Sequence, residues 1–241
     1  MKSIKSKLEI LYEDGDILAV NKPYGIIVYP QNEHDERESV SGILVGEGRI
    51  DDDAGEKGRL GIVHRLDKDT SGVLLVARTK DAHRYLVKQF KSRKVRKHYT
   101  ALVLGKPKHP EGIIDSPIGR AHTDRQKMAL SYEDDGKNAI SHYKVAKSYN
   151  VGGKYVFSLV NVEIMTGRTH QIRVHMAAIG NPVLGDEKYG NRKANKYCAD
   201  KFDLKRQFLH AKVIEFVLPS KKKVVVKSDL PKDLEDVLEK I

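Results

Sequence analysis

The sequence has one cysteine, no tryptophan and no long apolar run, and these shortages exclude several classes of protein. Cys198 is the only cysteine among 241 residues, so neither an internal disulfide nor a zinc or iron–sulfur site built from several thiolates can form. No apolar stretch approaches the roughly 20 residues that span a bilayer. Residues 1–7 lack the apolar core of a signal peptide. We therefore expect a cytoplasmic protein without a membrane partner.

Acidic residues are fewer than basic ones, with 33 Asp and Glu against 44 Lys and Arg and a net charge of +11. Such a surface attracts polyanions, so nucleic acid is one expected partner, and a merely solubilising charge excess is the other explanation. With 39% hydrophobic residues, the composition is typical of a globular protein. The chain shows no internal repeat or linker, so we predict a single domain over residues 1–241.

Hydrophobic patterning predicts strands alternating with helices. Strands are predicted over residues 8–12, 17–21, 73–77, 155–164, 211–218 and 224–227. Helices are predicted after a cap at Thr79 and over residues 168–179 and 231–241, with a short helix at 40–44 inside a mobile loop over 31–61. We expect the strands to form a central sheet.

Two polar segments carry the candidate chemistry. Residues 64–72 (HRLDKDTSG) place seven polar side chains just before an apolar strand, which indicates either a site at a sheet edge or a solvated loop whose polar groups cap turns. Residues 167–175 (GRTHQIRVH) bring two arginines and two histidines to a helix start, where they need an anion. That anion is RNA phosphate or the carboxylate of Asp67, and the sequence leaves both open.

Metal binding and nucleotide hydrolysis fit the sequence poorly. His170 and His175 are five residues apart and diverge on a helix, whereas a chelating pair needs neighbouring turns. No Gly-Lys pair is followed by Ser or Thr, as a phosphate-binding P-loop requires. A metal-dependent nuclease using His64, Asp67 and Asp69 would need a carboxylate cluster that no other motif supplies.

Three runs together resemble the motifs of the RluA-type RNA pseudouridine synthases. They are HRLDKDTSGVLLVARTK at 64–80, KHYTALVLG at 97–105 and GRTHQIRVHMAAIGNPVLGDEKYG at 167–190. The similarity continues through DILAVNKPYGIIVYP at 16–30 and FLHAKVIEFVLP at 208–219. It therefore covers nearly the whole chain in the family's order.

The resemblance implies an α+β protein with a mixed, mostly antiparallel central sheet, flanking helices and a central active-site cleft. The implied reaction detaches uracil from C1′ of a uridine and rejoins it through C5, with no cofactor and no metal. The implied partner is ribosomal or transfer RNA, and the implied state is a monomer. Many relatives also carry an N-terminal S4-type RNA-binding domain, which we expect to be absent because the catalytic-type sequence begins by Leu8.

By the same resemblance, Asp67 matches the catalytic aspartate, Tyr99 the active-site tyrosine and Arg173 the basic residue that pairs with the aspartate. A carboxylate can stabilise the positive sugar or form a covalent adduct with it. Tyr99 can stack on uracil or accept a proton. Residues expected to contact the substrate are His64, Arg65, Thr70, Arg168, His170 and Leu184.

Arg65 matches a family arginine that fills the gap left by a flipped uridine, and Leu184 is expected beneath the base or in the ordinary core. Tyr29 departs from the family, which more often has histidine there. The acidic stretch over residues 46–57 has no counterpart in the motifs. The alternative function is an RNA-binding or ribosome-assembly protein of the same fold without turnover, but such a protein would be free to lose Asp67, Tyr99 or Arg173.

Overall fold

A computed structural model describes residues 8–32, 34–35, 37–121, 124, 127–133 and 135–241; residues 1–7, where we expect no signal peptide, lie outside them. The strands are β1 (Glu9–Glu13), β2 (Ile17–Lys22), β3 (Ser71–Ala77), β4 (Arg96–Leu104), β5 (Glu111–Asp115), β6 (Ile118–Arg120), β7 (Met128–Leu130), β8 (Ile140–Val151), β9 (Tyr155–Ile164), β10 (Leu209–Val217) and β11 (Lys223–Lys227). The helices are α1 (Val40–Gly46), α2 (Lys80–Lys91), α3 (Gln171–Ala178), α4 (Arg192–Phe202) and α5 (Lys232–Lys240).

The first of two compact units comprises Met1–Arg96 and Ala211–Asp229. Its strands follow the order β1-β2-β3-β10, and β11 pairs with β10. Every residue of β3 is buried, as its continuous apolar sequence predicts for a strand covered on both faces. Thr79 caps α2 by accepting a hydrogen bond from the Ala82 N–H at 3.2 Å. Ala82 and Leu86 of α2 then join β3 in one apolar cluster.

The second unit comprises Lys97–His210 and Leu230–Ile241. Its strands follow the order β4-β9-β8-β5, each pair antiparallel, and β6 and β7 form a separate hairpin. Leu102 of β4 and Phe157 of β9 pack with residues of α4 and α5 in its main core. Alternate residues of β9 face this core, which explains the period-two pattern in its sequence.

The predicted α+β class with a mostly antiparallel sheet is confirmed, and the single-domain prediction stays a prediction beside the two units. One helix boundary was wrong: the helix predicted over 168–179 begins only at Gln171. The Gln171 side chain accepts the Arg168 N–H at 3.0 Å and the Thr166 hydroxyl at 2.8 Å, which folds the preceding residues into a turn. His170 then has a left-handed backbone with φ of 56°.

Candidate active site

The loop carrying Asp67 is hydrogen-bonded to its surroundings on both sides of that residue. His64 accepts the Leu75 N–H through Nε2 at 2.9 Å, and its ring stacks on Phe90 with centroids 4.9 Å apart. The Thr70 N–H donates to the Asp67 carbonyl at 3.1 Å. His64 is therefore anchored to β3, and a turn between Asp67 and Thr70 leads directly into that buried strand.

Lys22 binds the backbone beside Asp67 and was not among the predicted site residues. Its side chain is fully buried, and its Nζ donates to the carbonyls of Pro23, Ile26 and Lys68 at 2.7, 2.8 and 2.9 Å. The Gly25 N–H donates to the same Lys68 carbonyl at 2.9 Å. Because Lys68 follows Asp67 directly, these bonds fix the backbone beside the carboxylate. A lysine between an apolar strand and a proline was the available signal.

The predicted substrate contacts near Asp67 differ in exposure. Arg65 is exposed and donates from Nη1 to the Tyr29 hydroxyl at 3.2 Å. Thr70 is 2% exposed, and His64 is half-buried with Nε2 committed to the backbone. In this unit the structure therefore places Arg65 where a large ligand can reach it.

Tyr99 lies on β4 and is buried, two residues after a buried lysine that points to the same side of the strand. This lysine, Lys97, donates from Nζ to the Thr166 carbonyl at 2.9 Å. Burial and the positive charge of Arg168 lower the pKa of Lys97 to about 8. By sequence, Lys97 belongs to a set of basic residues within 88–97 and 221–223 that are predicted to contact RNA phosphate, but its burial makes that prediction wrong for Lys97. Lys97 instead ties the Tyr99 strand to the turn that precedes α3.

Arg173 forms a buried bidentate ion pair with Asp186. Its Nε and Nη2 donate to the Asp186 carboxylate at 2.7 and 2.9 Å, and the two side chains are 7% and 0% exposed. Burial opposes ionisation of this carboxyl, but the bonds from Arg173 and from the Tyr189 and Lys188 N–H groups lower its pKa overall. Asp186 was not among the predicted site residues, although it lies in the run 167–190 that carries the family resemblance. The predicted pair of Arg173 with Asp67 stays a prediction.

Tyr189 brings two of the predicted residues together. The Met128 N–H donates to its hydroxyl at 2.8 Å, and that hydroxyl lies 2.7 Å from Nδ1 of His170. The Arg173 guanidinium lies over its ring, 5.1 Å from the centroid. Tyr189 therefore connects β7, the residue before α3 and the Arg173 side chain.

The remaining candidates of the second unit have separate environments. Arg168 is exposed and donates from Nε to the Asn138 carbonyl at 3.0 Å. Leu184 is 1% exposed and packs with Leu102 and Phe157, so core packing is shown for it and base contact stays a prediction. His175, whose pKa burial lowers, bonds to Ser141 and Ser116 away from Tyr189, so the two histidines diverge as expected.

The described residues contain neither a candidate membrane span nor a candidate metal cluster. Over 8–32, 34–35, 37–121, 124, 127–133 and 135–241, no helix is long and apolar enough to cross a membrane. Within the same ranges, His, Cys, Asp and Glu form no group of three or more that could hold a metal ion.

Comparison with known proteins gives consistent matches. A family model described as RNA pseudouridylate synthase matches residues 16–178. The Bacillus subtilis protein named "Uncharacterized RNA pseudouridine synthase YlyB" is 43% identical over 237 residues, covering 97% of this chain and 73% of that protein. The Zymomonas mobilis protein named "Ribosomal large subunit pseudouridine synthase D" is 39% identical over 230 residues, covering 95% of this chain and 71% of that protein.

A solved structure also matches. The human protein titled "Human RNA Pseudouridylate Synthase Domain Containing 4" superposes with a TM-score of 0.73 at 27% identity, covering 96% of this chain and 92% of that one. An Aquifex aeolicus relative, 45% identical over 188 residues, is matched over 78% of this chain and 58% of its own length. The fold expected from the sequence resemblance is confirmed.

Proposed function

Because the chain belongs to the RNA pseudouridylate synthase family, whose members are isomerases, we propose that it converts specific uridines of large-subunit ribosomal RNA to pseudouridine, with Asp67 as the catalytic carboxylate. The observation that carries the proposal is the anchoring of the Asp67 loop. The Lys22 ammonium and the Gly25 N–H both donate to the carbonyl of Lys68, the residue after Asp67. Catalysis is faster when the reacting groups are already in position before the substrate binds, and a carboxylate on a fixed backbone satisfies this condition.

The reaction needs no external reactant, because it is balanced within the nucleotide. The N1–C1′ bond breaks, the C5–C1′ bond forms, C5 loses its proton and N1 gains one. While the base is detached, the sugar carries positive character that the Asp67 carboxylate stabilises electrostatically or covalently. We propose that Tyr99 stacks on the rotating uracil or accepts the C5 proton, and that Arg173 orients the carboxylate. Asp186 would then orient Arg173 in turn.

The preference for ribosomal over transfer RNA rests on relatives rather than on geometry. The Zymomonas mobilis relative and a Pseudomonas aeruginosa relative, 41% identical over 220 residues, are both named for the large ribosomal subunit. The net charge of +11 suits any RNA. Transfer RNA is therefore the second substrate to test.

The proposal is tested by mapping pseudouridines in total RNA from cells with and without this gene. We expect loss of discrete sites in large-subunit ribosomal RNA and their return when the gene is restored. Loss confined to transfer RNA would overturn the substrate assignment. An unchanged map, together with ribosomal RNA that co-purifies with the protein, would favour the alternative of an RNA-binding protein without turnover.

A further inference from the structure

Two exposed guanidinium groups share one tyrosine close to Asp67 in the chain. The Arg59 guanidinium carbon lies 4.6 Å from the Tyr29 ring centroid, and that of Arg65 lies 5.5 Å from it. Arg65 also donates to the Tyr29 hydroxyl at 3.2 Å. Both arginines are exposed, and Tyr29 is half-buried between them and the protein. The arrangement concentrates positive charge beside the Asp67 loop.

The segment that carries Arg59 is fixed rather than loosely attached. The Asp51 N–H donates to the Arg78 carbonyl at 2.8 Å, and the Gly61 carbonyl accepts the Ala77 N–H at 2.8 Å. Gly61 has a φ of +71°, and a Cβ there would lie 2.5 Å from the Ala77 carbonyl oxygen. Only glycine allows this approach to β3. One end of the segment, Asp51, is therefore bonded to Arg78 just after β3, and the other end, Gly61, is bonded to Ala77 of β3. Arg59 lies two residues before Gly61.

Tyr29 is fixed as well. The carbonyls of Ile27 and Val28, just before it, accept the Val40 and Ser41 N–H groups at 3.0 Å each. The Ile27 and Val28 side chains are buried. The tyrosine ring is thus presented from an anchored backbone to both guanidinium groups.

Charge pairing distinguishes Arg59 and Arg65 from three other arginines of the first unit. Arg37, Arg49 and Arg84 each form an ion pair with a carboxylate of that unit. Within the part of the chain that the structure describes, no carboxylate lies within 4.0 Å of the Arg59 or Arg65 guanidinium. This holds although acidic residues, Asp51 to Asp53 and Glu56, precede Arg59 closely. Two guanidinium groups that share one ring and have no carboxylate nearby can bind an anion of another molecule.

We propose that Arg59, held over Tyr29 beside Arg65, binds a phosphate of the RNA substrate next to the target uridine. The guanidinium fork matches phosphate oxygens bidentately, and stacking on Tyr29 limits the side-chain freedom lost on binding. The proximity to the target follows from Arg65, which lies two residues before Asp67. The inference rests on the proposed function for its ligand, since it takes the substrate to be RNA.

The test compares Arg59→Gln with Arg84→Gln in the full-length chain. Arg84 is an exposed arginine already paired with Asp81, so its substitution removes the same charge elsewhere on the first unit. Pseudouridine formation in an unmodified transcript of large-subunit ribosomal RNA is measured across a series of KCl concentrations. We expect Arg59→Gln to raise KM several-fold, to change kcat less than twofold and to reduce the salt slope of log(kcat/KM) by about one unit. Arg84→Gln should keep the wild-type slope.

A second pair of variants tests the role of the ring. Tyr29→Leu removes the stacking surface and should raise KM as Arg59→Gln does, and the double variant should be little worse than either single one. Tyr29→Phe keeps the ring and should lose less affinity than Tyr29→Leu. Melting temperatures of all variants within a few degrees of wild type exclude unfolding as the cause. Fully additive effects of Tyr29→Leu and Arg59→Gln would overturn the shared site.

Failure of this inference and of the proposed function give different results. If Arg59→Gln leaves KM and the salt slope unchanged in an active enzyme, or if Arg84→Gln shifts them equally, Arg59 binds no phosphate. If the wild-type protein forms no pseudouridine, the proposed function fails. Filter binding of the same transcript then tests Arg59 through the salt slope of affinity alone, with the same expected decrease of about one unit.

Discussion

Asp186 determines how Arg173 presents its guanidinium. The bidentate contact uses Nε and Nη2, and the Tyr189 ring lies against the same group. A planar guanidinium held at one edge and one face has little freedom left. The residue expected to orient the catalytic carboxylate is therefore itself oriented by residues 186 and 189, which follow it in the same motif.

Asp186→Ala should destabilise the fold by about 3 to 5 kcal/mol, the usual cost of leaving one partner of a buried ion pair without its counter-charge. Urea unfolding at pH 7 measures the decrease. The control is Asp200→Ala, which breaks the exposed pair of Lys196 and Asp200 on α4 and should cost less than about 1 kcal/mol. Equal decreases in the two variants would contradict a special role for the buried pair.

The same variant has a defined pH dependence. The pKa of Asp186 is lowered in the folded protein, so the stability contributed by its ionised form is complete above the ordinary carboxyl range near pH 4. That contribution is lost as pH falls through the lowered folded value. The difference between wild type and Asp186→Ala should therefore shrink on acidification, and a difference that grows would contradict the ion pair.

At the scale of elements, β4 and the turn before α3 are joined by one buried ammonium. Lys97 is the second residue of the strand that carries Tyr99, and its Nζ binds the Thr166 carbonyl just before Gly167 and Arg168. Burial of the charge costs free energy, which the lowered pKa of about 8 reflects. The bond therefore holds the strand that carries Tyr99 to the turn before α3. Burying the charge lowers the stability of the folded protein.

Lys97→Met should show this cost through pH. Between the folded pKa of about 8 and the ordinary value of 10.5, the unfolded chain binds more protons, so wild-type stability rises with pH. Relative to Lys97→Met, wild type should gain roughly 2 to 3 kcal/mol between pH 7 and pH 10. Urea unfolding at both pH values measures the gain, and Lys144→Met, at an exposed lysine, controls for general charge loss. Parallel pH profiles for wild type and Lys97→Met would show that Lys97 is not buried as a charge.

Periodicity predicted some elements closely and missed others, among them the strands β4 and β8 and the helix α4. The bounds of β9 were predicted correctly, as was the Thr79 cap of α2. Helix α4 was missed because only Ala194, Cys198 and Phe202 of its eleven residues are buried. The turn before α3 depends on one glutamine side chain, and the burial of Lys97 was hidden by the basic run that precedes it. The turn before α3 and the burial of Lys97 arise from tertiary contacts that leave no local pattern.

At the scale of the whole molecule, the 44 lysines and arginines outnumber the 33 acidic residues, which leaves a net charge of +11. The basic residues expected to contact phosphate that are exposed in the structure are Lys88, Lys91, Arg93, Lys94, Arg96, Lys221, Lys222 and Lys223. With Lys97 removed, this set remains the prediction for the RNA-binding surface.

Neutralising Lys88 or Lys91 with glutamine should reduce the slope of log affinity against log salt by about one unit for each phosphate that the variant no longer binds. Filter binding of the ribosomal RNA transcript across a KCl series measures the slope. Lys196→Gln serves as the control, because Lys196 pairs with Asp200 on α4. Slopes equal to that of wild type would show that Lys88 and Lys91 are solvated and bind no phosphate.

The most direct test of Asp67 as the catalytic carboxylate compares pseudouridine formation by wild type, Asp67→Asn and Asp69→Asn on the same transcript, with RNA affinity measured in parallel. Asp69→Asn removes the same charge from the same loop and leaves the carboxylate of Asp67 in place. Asp67→Asn should form no pseudouridine while binding RNA within a few-fold of wild type, because the carboxylate acts in the bond change and not in phosphate contact. Turnover by Asp67→Asn above background would contradict the assignment.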